Sequence, residues 1–101
     1  MRIVNLTPHA IHIVGGGTLH SEGVARVDSQ SVSVGSADGV PLVRVTFGEV
    51  IGLPAPEAGL LFVVSGMVRA ALPGRVDIAS PGELVRDETG RVVGCAALII
   101  N

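Results

Sequence analysis

The residues best placed to hold a ligand fall in two groups. One is Val64-Ser65-Gly66, where an apolar run meets a helix-start signal. Backbone amides at such a start, with the helix dipole behind them, favour a negative group. Arg69 follows one turn later, and its planar guanidinium would offer a fork to phosphate or carboxylate. The other group is Asn5-Leu6-Thr7-Pro8-His9. Asn5, Thr7 and His9 share strand parity, so an extended backbone would point all three into one pocket. The competing reading is local bonding of side chains to backbone around the strand break imposed by Pro8, and it is the better supported of the two. Arg75 and Asp77 also share parity and join the candidate ligand-binding set; a weak surface ion pair is the plainer account of them.

Other chemistries find less support. His9, His12 and His20 are the only histidines. A zinc site needs three or four converging ligands. On a regular strand His9 and His12 point to opposite faces, so no metal site is expected. Ser65 could be drawn into a triad with His9 and Asp77, and Cys95 into a pair with His9. Val63-Val64-Ser65-Gly66 lacks the glycine that a nucleophile elbow places two residues before its serine. No catalytic residue is assigned, and a small hydrolase is only the third functional reading. Gly15-Gly16-Gly17 follows a strand without opening a helix, which excludes a dinucleotide or Walker-type phosphate loop. No cofactor is expected.

These residues must be positioned by many short strands. The chain has 101 residues, near the usual size of one domain, so residues 1–101 are read as a single β-rich unit. It is 48% hydrophobic, yet Phe47 and Phe62 are its only aromatics. Valine, isoleucine, leucine and alanine must build the core, and β-branched side chains favour strands. Fourteen glycines and six prolines punctuate the chain. Arg2 to Asn5 and Ala10 to Val14 read as strands, followed by a loop to Gly23 that is flexible by composition, and then a strand at Val24–Val27. Ser31-Val32-Ser33-Val34 has the period of a one-sided antiparallel strand. Asp38-Gly39 is a hairpin dipeptide, with a return strand over Val40–Phe47 alternating around Val43, Val45 and Phe47. Residues 48–59 carry two prolines spaced by one residue. They form a rigid connector or a site loop, with the connector favoured.

The stretch from Leu61 to Asn101 has the clearest order: a strand, a short helix over about 65–72 with Ser65 as N-cap, a strand at Val76–Ile78, a Pro81-Gly82 turn, Leu84-Val85, an Asp87–Gly90 turn and a final apolar strand. Val68, Ala71 and Leu72 would face the core, with Arg69 outside. The expected fold is mainly β. It is a small, predominantly antiparallel barrel or rolled sheet of about six to eight strands, with one short α-helix.

Charge and composition narrow the partners. The net charge is −2 and the seven basic residues are all scattered arginines. Without a basic patch or stacking aromatics, nucleic acid is not expected. No apolar run approaches the ~20 residues of a membrane span, and no signal peptide is evident, so a cytoplasmic protein is expected. Cys95 has no partner for a disulfide within the chain and packs as a small hydrophobe. So apolar a chain leaves a face for another copy of itself, or another protein, to cover.

Four segments together suggest kinship. Asn5-Leu6-Thr7-Pro8-His9-Ala10-Ile11, Phe47 to Pro54, Val63 to Val68 and Leu84 to Cys95 resemble, in that order, a group of short bacterial and phage or prophage proteins that open with an "NLTPH" signature. The likeness spans most of the chain except about residues 15–40. It implies a phage or prophage setting and carries over no activity and no catalytic residue. The leading functional expectation is a non-enzymatic, self-associating interaction module. A binder of a small anionic metabolite or nucleotide at Ser65, Gly66, Arg69 and the Asn5–His9 segment is the alternative.

Overall fold

The computed structural model covers residues 1–101 and is mainly β with one short helix. Eight strands are formed: β1 (Arg2–Asn5), β2 (Ile11–Ile13), β3 (Gly17–Leu19), β4 (Arg26–Ala37), β5 (Val40–Ile51), β6 (Leu60–Val63), β7 (Ile78–Arg86) and β8 (Val92–Ile100). Helix α1 (Gly66–Ala71) lies between β6 and β7. Six strands make one curled sheet in the order β1-β6-β7-β8-β2-β3; β4 and β5 form a separate two-stranded ribbon.

The sheet is mixed. β1–β6, β6–β7 and β2–β8 run parallel, while β7–β8 and β2–β3 are antiparallel. Most of the registered ladder is still antiparallel, because the β4–β5 and β7–β8 hairpins are the longest pairings. The two ends of the sheet nearly meet. Asn5 bridges Ser21 just beyond β3, Glu22 N–H donates to the Asn5 carbonyl at 2.8 Å, and Ala25 N–H donates to the Leu6 carbonyl at 2.9 Å. This gives a barrel-like sheet with few free edges, which limits unwanted strand pairing.

Both faces of the β1-β6-β7 region are dry. Val4, Phe62 and Ile78 sit in one register row, and Val64, Val68, Leu6 and Ala25 complete a cluster on that face. α1 covers it through Val68, together with Val27 and Val50 at the root of the ribbon. Asn5, Val63 and Ala79 form the next row, on the opposite face, and are equally buried. This second face looks into the curl of the sheet.

The strand boundaries depart from expectation in several places. β5 runs past Phe47 through Gly48–Ile51, expected as connector, and Val76 and Asp77 lie outside β7, which starts at Ile78. Gly17–Leu19, read as part of a flexible loop, is β3, a short hairpin partner of β2. Arg26 and Val27, from the strand expected at Val24–Val27, and the Ser31–Val34 alternation belong to one continuous β4. Pro81-Gly82 makes no turn: β7 runs through both residues to Arg86. β6 pairs with β7 only at Ile78 and Ala79, so Pro81 lies where β7 has a single registered neighbour, β8. A proline is tolerated at such an edge. Gly82 admits Ile99, since a Cβ there would come within 2.4 Å of its Cγ1. Glu83, at φ 46°, turns the strand onward. The expected hairpin at Asp38-Gly39 is present, with both residues at positive φ as a type I′ turn requires.

The molecule is not spherical. Its radius of gyration is 16.0 Å and its extents are 47 × 40 × 20 Å. A compact chain of this length would have a radius of gyration of about 13 Å. The excess comes from the ribbon. Each of its strands has 12 residues, about twice the usual length, and beyond Asp28 every β4 residue is exposed.

Candidate functional site

The Asn5–His9 segment is a closed hydrogen-bond knot. The Asn5 side-chain amide donates to the His9 carbonyl at 2.8 Å and to the Leu19 carbonyl at 2.9 Å. Its Oδ1 accepts from Thr7 N–H at 2.9 Å and from the Thr7 hydroxyl at 2.7 Å. The Ser21 hydroxyl donates to the Thr7 carbonyl at 2.7 Å. Asn5 is 1% exposed, and every hydrogen-bonding group of its side chain has a partner. The bond to Leu19 crosses from β1 to β3 and ties the two ends of the curled sheet. Pro8 and His9 are exposed, and His9 joins the knot only through its backbone carbonyl. The polar side chains of this segment thus close the barrel around a proline turn.

Ser65 caps α1 as its sequence suggests, its hydroxyl accepting from Val68 N–H at 3.2 Å. Gly66 opens the helix, which has only six residues. Arg69 turns away from the helix start. Its Nε donates to the Ser80 hydroxyl at 2.8 Å and its Nη1 to Asn101 Oδ1 at 3.3 Å. The Asn101 amide in turn donates to the carbonyls of Leu72 and Arg75 at 2.8 and 2.9 Å. This chain of bonds ties the helix and its exit loop to β7 and the end of β8, and it uses Nε and Nη1 of the guanidinium that an anion would use.

Arg75 and Asp77 form a bidentate pair, with Nε and Nη2 each 2.7 Å from a carboxylate oxygen. The pair is partly shielded, with side-chain exposures of 23% and 14%. Arg75 also donates to the Pro54 carbonyl at 3.0 Å, fastening the proline-rich connector to the loop after α1. The hydrogen bonds from Arg75 hold the Asp77 carboxyl below the usual carboxylate range, and those bonds raise Arg75 in turn. Asp87 is lowered too, first by the Thr89 hydroxyl and then by the Arg91 amide, within its own turn.

The expected ligand-binding residues therefore divide into four structural devices. Asn5 and Thr7 come together with the His9 backbone. Ser65 and Gly66 form a helix cap, beside a shallow depression that Pro8 also lines. Arg69 is committed to Ser80 and Asn101, and Arg75 to Asp77 and Pro54. No side-chain hydrogen bond joins one group to another; the Arg69 backbone N–H donates to the Ser65 carbonyl at 3.0 Å. No cluster of three His, Cys, Asp or Glu side chains is arranged to hold a metal.

The unusual surface lies elsewhere. Register pairs Ser29 with Phe47, Ser31 with Val45 and Ser33 with Val43. One face of the ribbon thus carries an apolar row alongside a serine row, with no charge on that stretch. The other face pairs Gln30 with Thr46 and Val32 with Arg44. Val43, Val45 and Phe47 are 56%, 49% and 40% exposed, and Val32, Val34, Val40 and Leu42 are comparably bare. The alternation around Val43, Val45 and Phe47 was legible in sequence. Its lack of any cover within the chain was not, because alternation tells which residues share a face and not what lies opposite.

No helix is long and apolar enough to cross a membrane. Compared with family models, curated proteins and solved structures, the chain matches none.

Proposed function

We propose that this protein is a non-enzymatic assembly module that associates with further copies of itself through the β4–β5 ribbon. The observation that carries the reading is the uncovered row of Val43, Val45 and Phe47 on an arm that projects from a well-packed barrel. A two-stranded ribbon in water is marginal by itself, and it gains stability when an apolar face is covered or further strands are added. Its partner must tolerate an apolar, serine-lined, uncharged face. The ribbon of a second copy has that chemistry by construction, and symmetric self-association is the commonest way to cover such a surface. The phage or prophage setting implied by the "NLTPH" resemblance accords with a structural role. Asn5, Thr7, Arg75 and Asp77 are engaged in bonds within the chain, as is one edge of Arg69, which favours assembly over small-molecule binding.

Light scattering coupled to size-exclusion chromatography tests the proposal. The wild-type chain is expected at twice its 10.2 kDa mass or more. The triple substitution Val43→Ser, Val45→Ser and Phe47→Ser should shift it to a single chain while the circular-dichroism spectrum of the barrel persists. A wild-type protein that stays at one chain mass at high concentration would refute self-assembly.

A further inference from the structure

The outer edge of β4 is built differently from a protected edge. Strands at sheet edges are normally blunted by charge, proline or short length. β4 is 12 residues long, and from Ser29 to Ala37 it carries neither charge nor proline. β5, by contrast, carries Pro41, Arg44 and Glu49. In the ribbon β4 has one partner only, β5, so its other side presents unpaired backbone groups along an uncharged strand.

We infer that β4 pairs antiparallel with β4 of a second copy about a two-fold axis near Ser31, forming a four-stranded sheet in the order β5-β4-β4-β5. This rests on the assembly reading above and specifies its geometry. Irregularities in the β4–β5 register fall between Val27 and Ser29 and between Ser33 and Gly35. Ser29–Ser33 is the regular stretch between them, and Ser31 is its midpoint. A two-fold at Ser31 sets Ser29 against the partner's Ser33 and Gln30 against the partner's Val32. That stretch carries no charged residue. No charge meets its own kind, which a self-paired edge must avoid. The axis is perpendicular to the sheet, so the two Val43-Val45-Phe47 rows end on the same side. That widened face has the form used in sheet-on-sheet packing.

Cysteine cross-linking under mild oxidation tests the register. Opposed residues of an antiparallel pair have Cα atoms about 4.5–5.5 Å apart, within disulfide range. Ser31→Cys should therefore yield a disulfide-linked dimer in high yield. Ser29→Cys and Ser33→Cys, each displaced from its own symmetry mate by about 13 Å along the strand, should give at least tenfold less. The double variant Ser29→Cys/Ser33→Cys should regain the cross-link. The wild-type chain, whose Cys95 is buried, is the control and should give none. Assembly by light scattering without a Ser31→Cys cross-link would overturn the edge pairing and leave self-assembly standing. Equal cross-linking at all three positions would overturn it as well. A monomeric wild type would overturn both.

Discussion

Phe62 and Phe47, the chain's only aromatics, occupy opposite environments. Phe62 is 2% exposed and sits between Val4 and Ile78 in a row covered by α1. Phe47 is 40% exposed on a ribbon that nothing in the chain covers. The barrel region uses both sheet faces and satisfies its buried polar side chains internally; no buried side-chain nitrogen or oxygen lacks a partner. The ribbon uses neither face beyond its root at Val27 and Val50. One region is finished within a single chain, and the other leaves its apolar row uncovered.

Substituting the two phenylalanines gives the largest contrast. Phe62→Ala should cost about 3–5 kcal/mol of folding stability by leaving a cavity in the core. Phe47→Ala should change the stability of the dissociated chain by less than about 0.5 kcal/mol, as at an ordinary surface position. Denaturant melts at low protein concentration measure both. Similar costs at the two positions would mean that the ribbon is covered within its own chain.

Asn5→Ala comes next. It should destabilise the barrel by about 1–3 kcal/mol, because it strands the buried Thr7 amide and removes the ties to the His9 and Leu19 carbonyls. Hydrogen exchange should show the loss first at β1 and β3, the two ends that Asn5 joins, with the ribbon tip unaffected. A loss below about 0.5 kcal/mol would contradict the closure role.

The Arg75–Asp77 pair should give the smallest effect, about 1 kcal/mol near neutral pH. Its pH dependence has a definite sign. The Asp77 carboxyl is lowered in the folded state, so its stabilisation is fully present above the ordinary carboxylate pKa of about 4 and fades as pH falls through the depressed value. Arg75 is raised from an already high value, so it adds no change in this window. The difference in melting temperature between wild type and Asp77→Asn should therefore shrink on acidification from pH 6 to 2. A difference that stays constant over that range would show that the ionised carboxylate of Asp77 contributes nothing to folding.

Local rules made much of the architecture readable. Ser65 ahead of an apolar helical stretch marks an N-cap, Asp38-Gly39 marks a type I′ hairpin, and Asp87 to Gly90 marks a turn; each depends on a few neighbouring residues. Pro81-Gly82 shows the limit. The pair looks like a turn, yet β8 provides a ladder on one side and Ile99 fills the space that Gly82 leaves open. Arg69 shows the same limit for chemistry. Its place one turn into α1 suggests an anion fork, but its partners Ser80 and Asn101 are 11 and 32 residues away.

By itself the sequence determined that this chain would be β-rich, valine-built and interrupted by one capped helix, because propensity, turn chemistry and period act over a few residues. Only the tertiary structure decided that β1 meets β3 through Asn5, that the sheet mixes parallel with antiparallel pairs, and that Val43, Val45 and Phe47 stand bare. The physical reason is range: alternation assigns a side chain to a face, while burial depends on which distant segment arrives to cover it.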